Sequence, residues 1–315
     1  MPGDRAVDRA VRNRSRRPAR SVRSAGRVRG DLFRQGGKRG VTPPSSARRH
    51  SSGRPPSADS RAEWIDDVPI PSDGRHGMND VRVLDNVAYS SLTGPHAGLA
   101  EHRGRVVRYL PDVAPFAALP DDPGPTDWAD LAALAGPGAV LPLADGDALR
   151  PPAPWEVVMR IGGVQMLGDA VAGRPDDSLV RLAAADVPEM LDLVARTRPG
   201  PFLPRTIELG TYLGVRRDGA LIAMAGERLH PPGWTEISAV CTDPAWRGHG
   251  LASRLVLALV AGITARGETP FLHAAAENVT AIRLYESLGF RLRRTPWFVA
   301  VRVPAGEPVE SAVAG

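Results

Sequence analysis

Cysteine, lysine and aromatic side chains are scarce in this 315-residue chain. Cys241 is the single cysteine, so neither an intrachain disulfide nor a cysteine-rich metal site can form. Aromatic residues make up 5% of the chain and hydrophobic residues 43%, which points to an aliphatic core of Ala, Val and Leu. No apolar run is long enough to span a bilayer, so no membrane partner is expected and a soluble, cytoplasmic protein is the default. Lys38 is the only lysine; every other basic residue is arginine. Together with abundant Ala, Gly and Pro, this reflects the codons of a GC-rich genome and carries no message about phosphate recognition.

The formal charge of +5 hides an uneven distribution. Residues 1–77 hold 18 of the 40 basic and 8 of the 35 acidic residues, a balance of +10. Residues 78–315 keep 22 basic and 27 acidic residues, a balance of −5. Nucleic-acid binding by the globular part is therefore not expected.

Residues 1–77 are rich in Arg, Pro and Ser and cannot bury enough apolar surface to offset chain entropy, so they read as a disordered basic extension. A nucleic-acid or membrane-binding tail and a transit peptide are alternatives. The favoured reading is an upstream extension with Met78 as the start, because ordered-looking sequence begins just after it. Residues 78–170 read as a smaller α/β unit. It has strands at "RVVRYL", "AVLPLA" and "WEVVMRIGGVQML", a short helical piece at "PDVAPFAAL", and a helix at "TDWADLAALAG" capped by Thr126 or Asp127. His96 and His102 are lone histidines with surface or structural roles.

After a linker over Gly168–Asp177, residues 171–303 alternate strand and helix. "SLVRLAAAD" reads as a strand, and "ADVPEMLDLVARTRPG" as a helix with Asp186 as cap and Pro188 in its first turn. Two strands follow, joined by the Asp218-Gly219 turn. "TEISAVCTDP" and "PFLHAAAE" are further strands. "NVTAIRLYESLGF" is a helix capped by Asn278 and closed by Gly289. "WFVAVRV" is a last strand, and 304–315 a flexible tail.

Between two of these elements lies "CTDPAWRGHGLASRLVLALVAGI". Leu251, Leu255, Leu259 and Ile263 fall four apart, which predicts an amphipathic helix. Its first N–H groups have no intrahelical partner, and the dipole is positive there. Gly248 and Gly250 let backbone approach a ligand, and Arg247 adds charge, so the loop suits phosphate groups. A tight strand-to-helix turn is the plain alternative. The loop matches neither common glycine-rich nucleotide fingerprint.

Arg247-Gly248-His249-Gly250-Leu251-Ala252 resembles the R-x-x-G-x-A pyrophosphate loop of the GNAT N-acetyltransferase superfamily. "ENVTAIRLYESLGF" resembles that family's closing helix. "WTEISAVCTDPAWRGHGLASRL" is similar to the subgroup related to glycine N-acyltransferases. The resemblance implies an α/β fold with a mixed, mostly antiparallel sheet flanked by helices. It also implies an acetyl-CoA or other short acyl-CoA donor, a primary amine acceptor (small molecule or peptide), and no metal. The pyrophosphate would sit on the N–H groups of Arg247 to Ala252, and the pantetheine arm would run along the strand through Val240, Cys241 and Thr242. An N–H near Val240 would hold the thioester carbonyl. Asn278 would bind the pantetheine amides, and Tyr285, two turns on, would protonate the departing thiolate. Glu236 is the first candidate base, with Glu208 and Glu227 as alternatives; His273 reads as packed or hydrogen-bonded. A covalent role for Cys241 lacks a nearby base in sequence, so direct amine attack is expected. Two other classes stay open: a non-catalytic acyl-CoA-binding regulatory module, and a nucleic-acid binder using the basic tail.

Overall fold

A computed structural model describes residues 80–143 and 149–305. The expected basic extension, the proposed start at Met78 and most of the C-terminal tail lie outside the described residues. The strands are β1 (Ala100–Arg103), β2 (Val106–Tyr109), β3 (Ala117–Ala118), β4 (Val140–Leu143), β5 (Glu156–Leu167), β6 (Val180–Arg181), β7 (Tyr212–Arg217), β8 (Ala220–Glu227), β9 (Trp234–Thr242), β10 (Thr269–Ala275), β11 (Arg291–Arg294) and β12 (Trp297–Arg302). The helices are α1 (Val87–Leu92), α2 (Pro125–Ala135), α3 (Val187–Thr197), α4 (Leu251–Ala265) and α5 (Val279–Ser287). The strands form one sheet in the order β1-β2-β3-β4-β12-β5-β10-β9-β8-β7-β6, with β11 also on β5. Only β3–β4 and β9–β10 pair in parallel among the described strands.

Side-chain alternation, interrupted on β8 by an extra residue at Ile222, sorts the core onto the two faces of the sheet. Ile222, Ala223, Ala225, Ile237, Leu272, Val164 and Met166 pack with Leu251, Leu255, Val256, Leu259, Val260 and Ile263 of α4. The expected four-residue stripe of α4 is thus its buried face. On the other side, Leu221, Met224, Ala239 and Cys241 meet Met190 and Leu193 of α3. Trp234, Phe271 and Leu167 meet Leu84, Val87, Leu92 and Tyr109 of the N-terminal segment. Trp128 and Leu131 of α2 pack in one cluster with Val106 of β2, Leu141 and Leu143 of β4 and Val299 and Val301 of β12.

Strand β5 ends at Leu167, before the expected boundary near residue 170, but it pairs with strands that follow that boundary. Its C-terminal half pairs with β10, and its N-terminal half with β12, the last strand. The Asp218-Gly219 hairpin is present, with φ +49° and +82°, and Gly289 closes α5 at φ +99°. Several local expectations differ. "PDVAPFAAL" forms a turn and β3, because Tyr109 N–H donates to Phe116 C=O at 3.0 Å and draws the segment onto β2. The cap of α2 is Gly124; Asp127 sits in the first turn and accepts from Gly124 N–H at 2.8 Å. Asp186 holds the N-cap position of α3 without a side-chain cap bond and accepts from Ala183 N–H at 2.8 Å. The Gly168–Asp177 segment packs on α4: Arg174 N–H donates to Leu257 C=O at 2.9 Å, and a Cβ at Gly173 would lie 2.5 Å from Ala261 backbone.

Candidate active site

Strands β9 and β10 pair from Trp234↔Thr269 to Ile237↔Leu272, and the ladder stops there. The cause lies on the other edge of β9. Gly226 pairs with Ser238 and Met224 with Cys241, so β9 carries one residue more than β8. This is a β-bulge, which bends its strand and sharpens the twist. Ala239 sits in it at φ +52°, a region that alanine seldom adopts. Beyond the bulge β9 and β10 form the two prongs of a fork.

Each prong runs into its own helix. β9 passes through Asp243-Pro244 and the glycine loop into α4, and β10 passes through Asn278 into α5. Because the strands are parallel, both helix N-termini lie at one end of the fork, the carboxyl end where α/β sheets commonly bind ligands. Asp243 stabilises the exit by accepting from Ala245 N–H at 3.0 Å and from Arg196 Nε at 3.0 Å. Gly248 and Gly250 have φ +82° and +70°. A Cβ at either would meet nothing within 4 Å, so they serve backbone conformation, not clearance. Arg247, Gly248, His249 and Gly250 are exposed. His249 Nδ1 lies 3.0 Å from Arg247 C=O, and Arg247 Nε 3.4 Å from Thr242 C=O. Leu251 and Ala252 open α4, where their N–H groups add to an anion-binding terminus.

Val240 is half-buried toward α4, and Thr242 half-buried at the fork mouth. Cys241 faces α3, and burial pushes its thiol up to about 11. That leaves a poor nucleophile at neutral pH. Asn278 Oδ1 accepts from Ala281 N–H at 3.2 Å, so its amide nitrogen is what remains for a ligand. Tyr285 is 7% exposed and stands edge-on to Phe290, with ring centroids 6.0 Å apart. Burial pushes its phenol up to about 12, so it keeps its proton at working pH.

The carboxylates are all engaged. Glu236 is sealed from solvent and accepts from Arg228 Nε at 2.8 Å, Arg228 Nη2 at 2.7 Å and His273 Nδ1 at 2.8 Å. Burial pushes its carboxyl up, but Arg228 and His273 outweigh it and hold the group down to about 2. A carboxylate this acidic is a weak proton acceptor at neutral pH. Glu208 pairs with Arg205 through two bonds, at 2.7 and 2.8 Å. Glu227 is buried, accepting from Arg266 Nη2 and Thr211 N–H, each at 3.0 Å. His96 is buried against the Tyr109 hydroxyl at 2.8 Å, a structural role, and His102 is exposed. Sequence reasoning missed Arg228 and Ala239. An arginine beside a strand end and an alanine within a strand carry no local signal of a buried ion pair or a bulge.

The family of FR47-like proteins matches residues 212–299, which include β7 to β11, the fork and both its helices. The N-alpha-acetyltransferase RimI of Mycobacterium tuberculosis is 35% identical over 109 residues, covering 31% of this chain and 68% of that protein. A solved GNAT-family acetyltransferase from Novosphingobium aromaticivorans is 42% identical, with a TM-score of 0.64, covering 69% of this chain and 97% of that one. The chain belongs to the GNAT superfamily of N-acetyltransferases. It is an acyl-CoA-dependent N-acyltransferase, and its mixed, mostly antiparallel sheet is the GNAT fold. Mycothiol acetyltransferase of Thermomonospora curvata is also similar, 35% identical over 127 residues, or 38% of this chain and 41% of that protein. The chain thus spans less than half of that relative's length. No helix among the described residues is long and apolar enough to cross a membrane.

Proposed function

We propose that acetyl-CoA is the donor and that it lies in the fork between β9 and β10. The parting of the two strands after Ile237 and Leu272 carries this reading. Backbone N–H groups freed from a ladder need new partners, and the pantetheine arm has the amides and carbonyls to supply them. The pyrophosphate would rest on the N–H groups from Arg247 to Ala252, where the dipole of a 15-residue helix adds to their charge. The strand through Val240, Cys241 and Thr242 would carry the arm, with the bulge presenting an N–H near Val240 to the thioester carbonyl. Asn278 would donate its amide nitrogen to the arm from the other prong.

The neutral amine attacks the thioester carbonyl directly, the C–S bond breaks, Tyr285 donates the proton that the leaving thiolate takes, and the proton shed by the new amide nitrogen returns to the phenolate through water. Its phenol keeps its proton at neutral pH, as a donor must, and its place two turns after Asn278 on α5 supports that role. Glu236 supports catalysis by its fixed charge and by the structure it organises, because Arg228 and His273 occupy it. The acceptor is a primary amine, and the α-amino group of a peptide is our first choice, since one relative is named an N-alpha-acetyltransferase. The likeness to glycine N-acyltransferases rests on the stretch Trp234–Leu255 and, less closely, on the first unit from about residue 80. A cytoplasmic location suits a donor made there.

The test is thiol release from acetyl-CoA with alanine-initiated peptides, free amino acids and alkylamines as acceptors, beside calorimetry of acetyl-CoA. Saturable release with an α-amine and direct donor binding are expected. A protein that binds acetyl-CoA but acylates no amine would be a regulatory module instead. Gly250→Glu should weaken donor binding sharply in a folded protein; unchanged affinity would remove the loop from the donor site.

A further inference from the structure

The main-chain ladder between β9 and β10 ends at Ile237 and Leu272, yet one side-chain bond spans that point. Glu236, the residue before the last pair on β9, accepts from His273 Nδ1, the residue after it on β10, at 2.8 Å. Both partners are braced from behind. Arg228 of the β8–β9 connection holds Glu236 by two bonds. Gln165 of β5 faces His273, its Nε2 3.0 Å from the ring Nε2.

The bonds around Gln165 decide the tautomer of that ring. Gln165 Nε2 donates to Leu84 C=O at 2.9 Å, and its Oε1 accepts from Arg293 Nη1 at 2.7 Å. The amide can therefore present only its nitrogen to His273. The ring Nε2 must accept, and the ring proton sits on Nδ1, aimed at Glu236. Phe271 and Phe298 stand edge-on to the imidazole at 5.7 and 5.8 Å and close off its swing.

We infer that the His273–Glu236 bond is a staple that fixes the closed end of the fork and so limits the length of the acyl chain. This rests on the reading of the fork as the donor site. A donor entering at the glycine loop passes down the prongs from Thr242 toward Ile237, about 16 Å of strand at roughly 3.3 Å per residue. Its acyl group, at the tip of the arm, points at the closed end. A longer chain needs the strands to part further, and the staple holds them together where the main-chain bonds have stopped. His273 is a positioning residue: it shapes the site and exchanges no proton with the substrates.

The experiment compares kcat/KM for acetyl-, butyryl- and hexanoyl-CoA with the best acceptor of the amine panel. Wild type should prefer acetyl-CoA. His273→Leu, which lacks the donor, should reduce the acetyl-to-butyryl ratio at least tenfold. His273→Asn, which keeps an N–H near the Nδ1 position, should hold the ratio within threefold of wild type. A residue needed only for folding would lower all three rates together and leave the ratio unchanged. A wild type indifferent to chain length overturns the staple. So does an unchanged ratio in folded His273→Leu, or a ratio as relaxed in His273→Asn as in His273→Leu. Should His273→Leu not fold, His273→Thr replaces it, its hydroxyl being too short to reach Glu236. If neither folds while His273→Asn matches wild type, the residue is a folding element and the staple is overturned. Wild type failing to bind acetyl-CoA in calorimetry would remove the donor site itself, and the staple with it, before any variant is made.

Discussion

Arg228 grips Glu236 through two hydrogen bonds, at 2.8 and 2.7 Å, where the carboxylate has no contact with solvent. The Arg228 side chain is 14% exposed, and its guanidinium lies 5.2 Å from the Phe116 ring centroid. The pair joins the β8–β9 connection to the central strand just before the fork opens.

Removing Arg228 leaves the Glu236 charge buried with only the His273 N–H against it. Arg228→Met should therefore cost about 3–5 kcal/mol of stability, read as a lower urea midpoint at pH 7. The pH dependence follows from Glu236. Its folded pKa is depressed to about 2 from an ordinary 4.5. The stability it contributes is present above the ordinary value and is lost as pH falls toward the folded value. Wild type should lose stability between about pH 5 and pH 2, and Arg228→Met should show a flatter profile there. Equal slopes for the two proteins would show that Glu236 is not held down by Arg228.

Tyr285→Phe keeps the ring, its contact with Phe290 and its place in the core, and removes only the hydroxyl. kcat should fall roughly ten- to a thousandfold, the scale of one acid–base group. Acetyl-CoA affinity by calorimetry should stay within about twofold. With the phenol pushed up to about 12, its ionisation should not limit the rate at pH 9 or 10. Wild-type turnover by Tyr285→Phe, with chemistry shown to be rate-limiting, would return the residue to a packing role.

Gly250 separates two effects. Its φ of +70° makes any L side chain costly, by about 1–2 kcal/mol, while the space around its Cβ position is open. Gly250→Ala should weaken acetyl-CoA binding modestly, through backbone strain alone. Gly250→Glu adds a negative charge facing the phosphates and should weaken it at least tenfold beyond Gly250→Ala. Equal affinities for the two variants would show that no phosphate lies there.

The elements legible in the sequence were those set by local chemistry. The four-residue spacing of Leu251 to Ile263, the Asn278 cap and the Asp218-Gly219 turn each fix a helix or hairpin through neighbours in the chain. What escaped was set by distant partners. β12 enters between β4 and β5 across more than a hundred residues, and nothing in "WFVAVRV" names those strands. Glu236 reads in sequence as an acid at the start of a strand. Its burial depends on Arg228 beside it, His273 across the fork, and the N-terminal segment that covers that face. The glycine loop was legible because its residues act locally; the fork was not, because it depends on a bulge at an alanine.

That bulge yields the last prediction. Ala239 holds φ +52° with 8% exposure, packed on the α3 side of the sheet. Left-handed backbone costs a residue with a Cβ about 1–2 kcal/mol, and glycine far less. Ala239→Gly should leave the bulge in place and keep or raise the melting temperature, the relieved strain being set against the greater entropy of the unfolded glycine. Acetyl-CoA affinity should remain close to wild type. Ala239→Val adds branching at Cβ to the same backbone, where β-branched residues are least tolerated. The strand can relieve that strain by giving up the extra residue, which would re-pair Val240 with β8 and extend the ladder from Ile237 toward β10. Donor affinity should then fall at least tenfold while the protein stays folded, and amide exchange at Val240 and Cys241 should slow as the ladder forms. If Ala239→Val binds acetyl-CoA like wild type, the fork does not depend on the bulge, and the parting of β9 and β10 must be held from the β10 side.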